Sequence, residues 1–183
     1  MRISIFFIPL LFLSILDAAA AEIDSAYTKI ELDRCQVIAQ DRESGGIAWM
    51  CEGYKGMDLY VGEGDLRYFV SAGPNADQRT AATQTLGPFN RIHTTLEWRL
   101  RQDQHGRWQP FATILRYFID IDGQGKEEQI LVVSKVGQYD SCQVAHINAS
   151  RNQNANVLAR QAADQIVPHF DCRSDEVVQV GAQ

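Results

Sequence analysis

The feature that most constrains the fold is a set of four cysteines in a chain that begins like an exported protein. An even number of cysteines in such a protein predicts disulfide bonds. Three pairings are possible, and we favour Cys35–Cys51 with Cys142–Cys172 because this choice closes the two shorter loops. Each bridge would stabilise the fold by roughly 3 kcal/mol through restriction of the unfolded chain. The sequence has neither the close cysteine pairs of a zinc site nor a redox C-x-x-C motif, so we expect no metal and no thiol chemistry.

The first 21 residues have the pattern of a secretory signal peptide. Arg2 provides a short positive region, an apolar stretch follows at residues 3–16, and the alanines at 18–21 offer a cleavage site. The apolar stretch is short for a membrane span, and no later segment approaches the roughly 20 apolar residues that a span requires. We therefore expect residues 1–21 to be removed and residues 22–183 to form a single soluble domain that is periplasmic or secreted.

The charge balance argues against two classes of partner. The chain has 17 Lys and Arg residues and 23 Asp and Glu residues, which gives a formal net charge of −6. Loss of the signal peptide removes one residue of each sign, Arg2 and Asp17, so the balance is unchanged. Non-specific nucleic-acid binding and polybasic membrane anchoring both depend on a basic surface. We therefore expect neither nucleic acid nor a membrane among the partners.

The stretch at residues 45–73 is predicted to be the centre of a twisted antiparallel sheet. Three short runs rich in aromatic and β-branched residues, at 47–51, 58–61 and 66–71, are separated by turns that contain glycine. Further strands are predicted at 27–38, 94–101, 108–120, 129–136 and 142–148. The clearest alternation places Leu96, Trp98 and Leu100 on one face of a strand. Pro110 cannot donate to a ladder and so marks an edge or the beginning of its strand.

Two segments are predicted to be helical. Residues 74–86 are rich in alanine and poor in strand-forming residues, with Asn75 as a cap. A second helix begins after Asn152 or Asn154, repeats apolar residues at intervals of four, and ends at Pro168. Strands that precede or flank two segregated helices predict an α+β domain.

Four arginines in predicted strands are the candidate binding residues, together with Trp98. A patch of guanidinium groups can hold carboxylate or phosphate groups in a bidentate manner. The alternative is that these arginines pair with nearby acids such as Glu97, and that the aromatic residues form a core. The arginines are Arg67, Arg99, Arg101 and Arg116.

Catalytic and metal-binding motifs are weak. Residues 120–128, DIDGQGKEE, match the early positions of a calcium-binding loop, but Leu131 occupies the position that requires a bidentate carboxylate, so we expect a hairpin connection instead. The histidines at 93, 105, 146 and 169 have no metal-pair spacing, and a Ser-His-Asp triad could form only in space. We expect no cofactor. The sequence Asn148-Ala149-Ser150 is a glycosylation acceptor motif only in a eukaryotic secretory pathway.

Several segments resemble a family of exported bacterial proteins. They are SAYTKIELDRC at 25–35, AWMCEGYKG at 48–56, LYVGEGDLRYFVSAG at 59–73 and PFATILRYF at 110–118. This family has no assigned activity, so the resemblance implies export and an intact domain. A second, shorter pattern, Trp49-x-Cys51-x-Gly53, is similar to the aromatic-x-Cys turn of periplasmic lysozyme inhibitors. Those proteins are smaller β-barrels, and their inhibitory loop has no counterpart in this sequence.

The sequence favours a non-enzymatic binding protein of the cell envelope, whose partner is a protein or an anionic envelope component. Two alternatives stay open. One is a small hydrolase whose triad is assembled from distant residues. The other is a periplasmic inhibitor of an enzyme that degrades the cell wall.

Overall fold

A computed structural model describes residues 22–43 and 45–182. The predicted signal peptide lies outside the described residues. In chain order the strands are β1 (Ile23–Lys29), β2 (Gln36–Gln40), β3 (Ile47–Glu52), β4 (Asp58–Gly64), β5 (Arg67–Ala72), β6 (Phe89–Gln102), β7 (Trp108–Asp120), β8 (Glu127–Lys135), β9 (Gln143–Asn148) and β10 (Val178–Val180), with the helix α1 (Ala155–Gln165) between β9 and β10. Within the described part of the chain, no helix is long and apolar enough to cross a membrane.

The strands form two sheets instead of the single predicted sheet. The larger sheet has the order β1-β6-β7-β8-β9-β10, and the smaller sheet has the order β2-β3-β4-β5. All neighbours are antiparallel except β9 and β10, which pair in parallel. The helix α1 packs on one face of the larger sheet, so the α+β class is correct, but the described residues contain one α-helix and not two.

The predicted helix at 74–86 is wrong. The segment forms two short 3₁₀ turns, Ala76–Gln78 and Thr80–Thr83. Asn75 has a left-handed backbone (φ 54°) and Arg79 is extended (φ −91°, ψ 158°), so no continuous helix can pass through them. The Arg79 side chain donates instead to the carbonyl of Gln138 at 3.0 Å and to that of Tyr139. Tertiary contacts therefore override the helical preference of the alanines.

The predicted strand at 27–38 is two strands in different sheets. β1 belongs to the larger sheet and β2 to the smaller one, and the 3₁₀ turn Leu32–Arg34 lies between them. The segment after residue 173 contributes the strand β10, which completes the larger sheet.

Two apolar clusters hold these layers together. Leu96, Trp98 and Leu100 of β6 pack with Leu59 and Val61 of β4 and fill the space between the sheets. The predicted alternation of β6 is therefore confirmed. The second cluster lies between the larger sheet and α1, where small side chains allow close approach: Ala155, Ala159, Ala162 and Ala163. Burial of apolar area contributes about 25 cal/mol per Å² to each cluster.

The predicted disulfide pairing is confirmed. Cys35–Cys51 ties the beginning of β2 to β3, and Cys142–Cys172 ties the beginning of β9 to the segment that follows α1. Each bridge therefore connects elements within its own half of the chain.

Candidate functional site

Arg99 is a structural residue of the interior. It is only 8% exposed, and its guanidinium donates to both carboxylate oxygens of Asp164 on α1, at 2.9 and 2.6 Å. A third donor reaches Ser25 Oγ of β1 at 2.6 Å. Ser25 in turn donates to Glu97, which also accepts from Arg160 of α1 at 2.7 Å. These bonds join β1, β6 and α1, and leave Arg99 with few donors for a ligand.

Arg101 and Arg116 lie on the same face of the larger sheet as Arg99, the face on which α1 packs. Arg101 stacks its guanidinium 4.5 Å from the centre of the Phe111 ring, and its Nε is buried without a partner among the described residues. Arg116 donates to Gln129 at 2.8 Å and to Asn156 at 3.2 Å, and burial lowers its pKa.

Arg67 and Trp98 lie apart from this face. Arg67 belongs to β5 in the smaller sheet, donates to the carbonyl of Gly87 at 2.8 Å and lies 5.0 Å from the Phe89 ring centre. Trp98 is fully buried between the sheets, where its Nε1 donates to Thr28 Oγ1 at 2.9 Å. The binding role of these residues stays a prediction, and their described contacts are all within the chain.

The histidines make no triad contacts. His93 Nδ1 accepts from the backbone N–H of Thr95 at 3.0 Å, and the His105 ring lies 3.3 Å from the side-chain amide of its neighbour Gln104. His169 is exposed. His146 bonds to Gln143 Oε1 at 2.8 Å, and burial lowers its pKa to about 4. The hydrogen-bond partners of the rings of His93, His105 and His146 are side-chain amides and a backbone N–H. The described contacts therefore contain no Ser-His-Asp arrangement.

The segment at 120–128 is a hairpin connection between β7 and β8. Asp120 accepts from the backbone N–H of Gly125 at 3.2 Å, and Asp122 accepts from that of Gln124 at 3.0 Å. The carboxylates are therefore used to shape the loop. Within residues 22–43 and 45–182 no group of three or more His, Cys, Asp or Glu side chains could hold a metal ion.

The site with the most diverse chemistry is a cleft beside the first half of β6, where two pockets of about 410 Å³ each lie next to one another. The first pocket is lined by aromatic and acidic side chains that include Glu63, Tyr68, Phe89, Phe118, Asp120 and Glu127. The second pocket is lined by Ile30, Glu31, Leu32, Asp33, Ile92 and His93, and both pockets share Tyr68 and Arg91.

Arg91 and Tyr68 form the boundary between the two pockets. The Arg91 guanidinium lies 3.8 Å from the centre of the Phe118 ring and pairs with Glu127 at 2.7 Å, so its charge is matched inside the cleft. The Tyr68 hydroxyl has no hydrogen-bond partner among the described residues. Burial, and secondarily the nearby Glu63 carboxylate, raise the pKa of Tyr68. Tyr68 is therefore a neutral donor that is free to bind a ligand.

Leu66 and Phe89 are exposed apolar residues at the opening of the first pocket, and we call them the lip. The backbone of Leu66 is strained. Asp65 and Leu66 form the two-residue turn between β4 and β5, with φ values of 52° and 58°. Such turns usually hold Asn-Gly, because a branched side chain at positive φ costs about 1–2 kcal/mol. Leu66 is 63% exposed, and the neighbouring Phe89 is 42% exposed. Strain that presents an apolar side chain to solvent favours a binding role for this lip.

Sequence reasoning missed this cleft. Its residues come from the strands β4 to β8, the loop before β8 and the segment at 30–33, and they could not be brought together without the sheet pairing. One local signal was available, because Asp-Leu occupies the position of a two-residue hairpin turn that normally needs glycine or asparagine.

Comparisons with protein-family models, with curated proteins and with solved structures found no match. The resemblance to exported bacterial proteins therefore stays a prediction from the motifs themselves.

Proposed function

We propose that this chain is a non-enzymatic, exported binding protein whose protein partner docks at the lip of the first pocket. The observation that carries the proposal is Leu66, a large apolar side chain held at φ 58° and 63% exposed. Glycine or asparagine would adopt this backbone at a lower cost. A strained leucine is understandable if its side chain contacts something outside the chain.

The surroundings of Leu66 support a protein partner. Phe89, also exposed, lies on the same pocket, and Phe118 forms part of its wall. Aromatic and aliphatic side chains that are grouped beside polar ones are typical of the centre of a protein interface. The two disulfides are consistent with the oxidising compartment in which an envelope partner would be met.

The predicted anionic component is a weaker candidate at this cleft. Among the described residues that line the two pockets, the only Arg or Lys is Arg91, and Arg91 pairs with Glu127. Glu63 and Asp120 add further negative charge to the first pocket. A partner with a basic or neutral surface therefore fits the lip better than a polyanion.

The test is affinity capture from envelope extract with immobilised protein and with its Leu66→Asn variant. Asparagine tolerates the left-handed backbone, so we expect the variant to be at least as stable as the wild type and to lose the captured partner. Tyr139→Asn is the matched control for an exposed apolar-to-polar change elsewhere, because Tyr139 is 82% exposed and lines neither pocket. Equal capture of the same partner by the wild type and by Leu66→Asn would refute the proposal.

A further inference from the structure

We propose that the open edge of β6 between Asn90 and Thr94 binds a short, extended, basic peptide segment of the partner. This inference rests on the proposed function, because it names the kind of chain that would occupy the same cleft. The bound segment would add as a strand to β6 and extend from the first pocket into the second.

The edge of β6 is uncovered over a defined length. β1 pairs with β6 only from Thr95 onward, and just beyond that ladder the N–H of Ile30 donates to the carbonyl of Thr94 at 2.8 Å. At the other end the N–H of Asn90 donates to the carbonyl of Leu66 at 2.9 Å. Between these two contacts Arg91 and Ile92 pair with β7 on one side, and the register of that pairing shifts after Ile92. Among the described strands, none pairs with residues 91–93 on the other side.

An uncovered strand edge is a template for another extended chain. Its unpaired N–H and C=O groups can form the main-chain bonds of strand addition. At roughly 3.3 Å per residue, the gap accommodates about three residues of an extended peptide. Because the two pockets meet at Tyr68 and Arg91 beside this gap, side chains on either end of such a peptide reach both pockets.

The charge of the cleft selects a basic peptide. Glu63 and Asp120 lie at one end and Asp33 lies at the other, while the charge of Arg91 is already matched by Glu127. Lysine or arginine side chains that flank the paired residues would therefore meet carboxylates at both ends.

The edge of β5, which also borders the cleft, is protected by side-chain hydrogen bonds. On β5 the N–H of Tyr68 donates to Asn90 Oδ1 at 2.9 Å, and the carbonyl of Tyr68 accepts from Thr85 Oγ1 at 2.6 Å. Within the cleft, strand addition is therefore favoured at the gap on β6 and not on β5.

The experiment uses the purified, disulfide-bonded protein and blocked pentapeptides. Lys-Val-Lys-Val-Lys and its acidic counterpart, Glu-Val-Glu-Val-Glu, are each titrated into the protein, and the chemical shifts of the protein's amides are measured. A third peptide is the basic one with a methyl group on the backbone nitrogen of its central lysine. We expect the basic peptide to shift amides at 91–93 and around both pockets. Methylation should weaken its binding by about 2- to 12-fold, the value of one hydrogen bond.

Two variants test whether a carboxylate in the cleft, and not the net charge of the protein, selects the basic peptide. Asp33→Asn removes an exposed carboxylate of the second pocket and should weaken the basic peptide by about 1.5- to 5-fold. Glu176→Gln removes an exposed carboxylate elsewhere and should leave binding unchanged.

The inference is overturned if the acidic peptide binds as well as the basic one, if methylation has no effect, or if no peptide binds. Shifts confined to the Leu66 and Phe118 side, with no response at residues 91–93, would also overturn it. None of these results bears on capture of a partner by the lip, so the two proposals can fail separately.

Discussion

Removal of one partner of the Arg99–Asp164 pair should destabilise the protein strongly. The two side chains are 10% and 25% exposed, and two hydrogen bonds of 2.9 and 2.6 Å join them. Breaking a fully buried pair costs 3–5 kcal/mol because the remaining charge is left unpaired. Because Asp164 is partly exposed, we expect Asp164→Asn to lower the free energy of unfolding by less, about 2–3 kcal/mol. For a chain of this size the melting temperature should then fall by about 4–12 °C.

The assay is a double-mutant cycle followed by thermal and urea unfolding. Arg99→Met should cost about as much as Asp164→Asn, and the double variant Arg99→Met/Asp164→Asn should cost clearly less than the two single changes together. Arg107→Met is the control, because its pair with Asp103 involves an arginine side chain that is 68% exposed. Such a surface pair is worth at most about 1 kcal/mol. Single variants that are no less stable than the control would refute the reasoning.

Three further predictions concern packing, the second disulfide and pH. Gly53→Ala should cost about 1–3 kcal/mol in urea unfolding, because the new Cβ would lie 2.6 Å from the Trp98 ring. Replacement of both Cys142 and Cys172 by serine should cost about 3.6 kcal/mol, the loop entropy of a 30-residue separation, measured in the same way. Burial lowers the pKa of His146 to about 4. The unfolded state therefore binds the proton first as the pH falls, so stability should be complete above about pH 6.5 and decrease by about 3 kcal/mol towards pH 4. His146→Gln should remove that part of the pH dependence, and an unchanged profile would contradict the assignment.

The strands with strong alternation could be predicted from the sequence because their pattern is local. Leu96, Trp98 and Leu100 repeat every second residue and are all buried in β6. Periodicity does not say which sheet a strand joins, so β1 and β2 were merged into one strand. β10 has only three residues and a parallel partner, and nothing near it in the sequence indicates that pairing.

The candidate site could not be predicted for a different reason. Strand alternation predicts that Arg99 and Arg101 share a face, but it does not show that α1 packs on this face and supplies Asp164 to Arg99. The lip depends on a backbone angle at Leu66 that follows from sheet register and not from the leucine itself. Both facts belong to the tertiary structure. Alternation in a strand shows which residues share a face of the sheet, but it does not show which element packs on that face.

The environment of Asn148 has a practical consequence for making this protein in other hosts. Asn148 is 8% exposed, its Nδ2 donates to Glu128 at 2.8 Å, and its Oδ1 accepts from the backbone N–H groups of Ser150 and Arg151. A sugar attached to this nitrogen during translocation in a yeast or mammalian cell would have no room beside β8. Glycan addition and completion of the larger sheet would compete for each newly made molecule. Bacterial secretion avoids that competition.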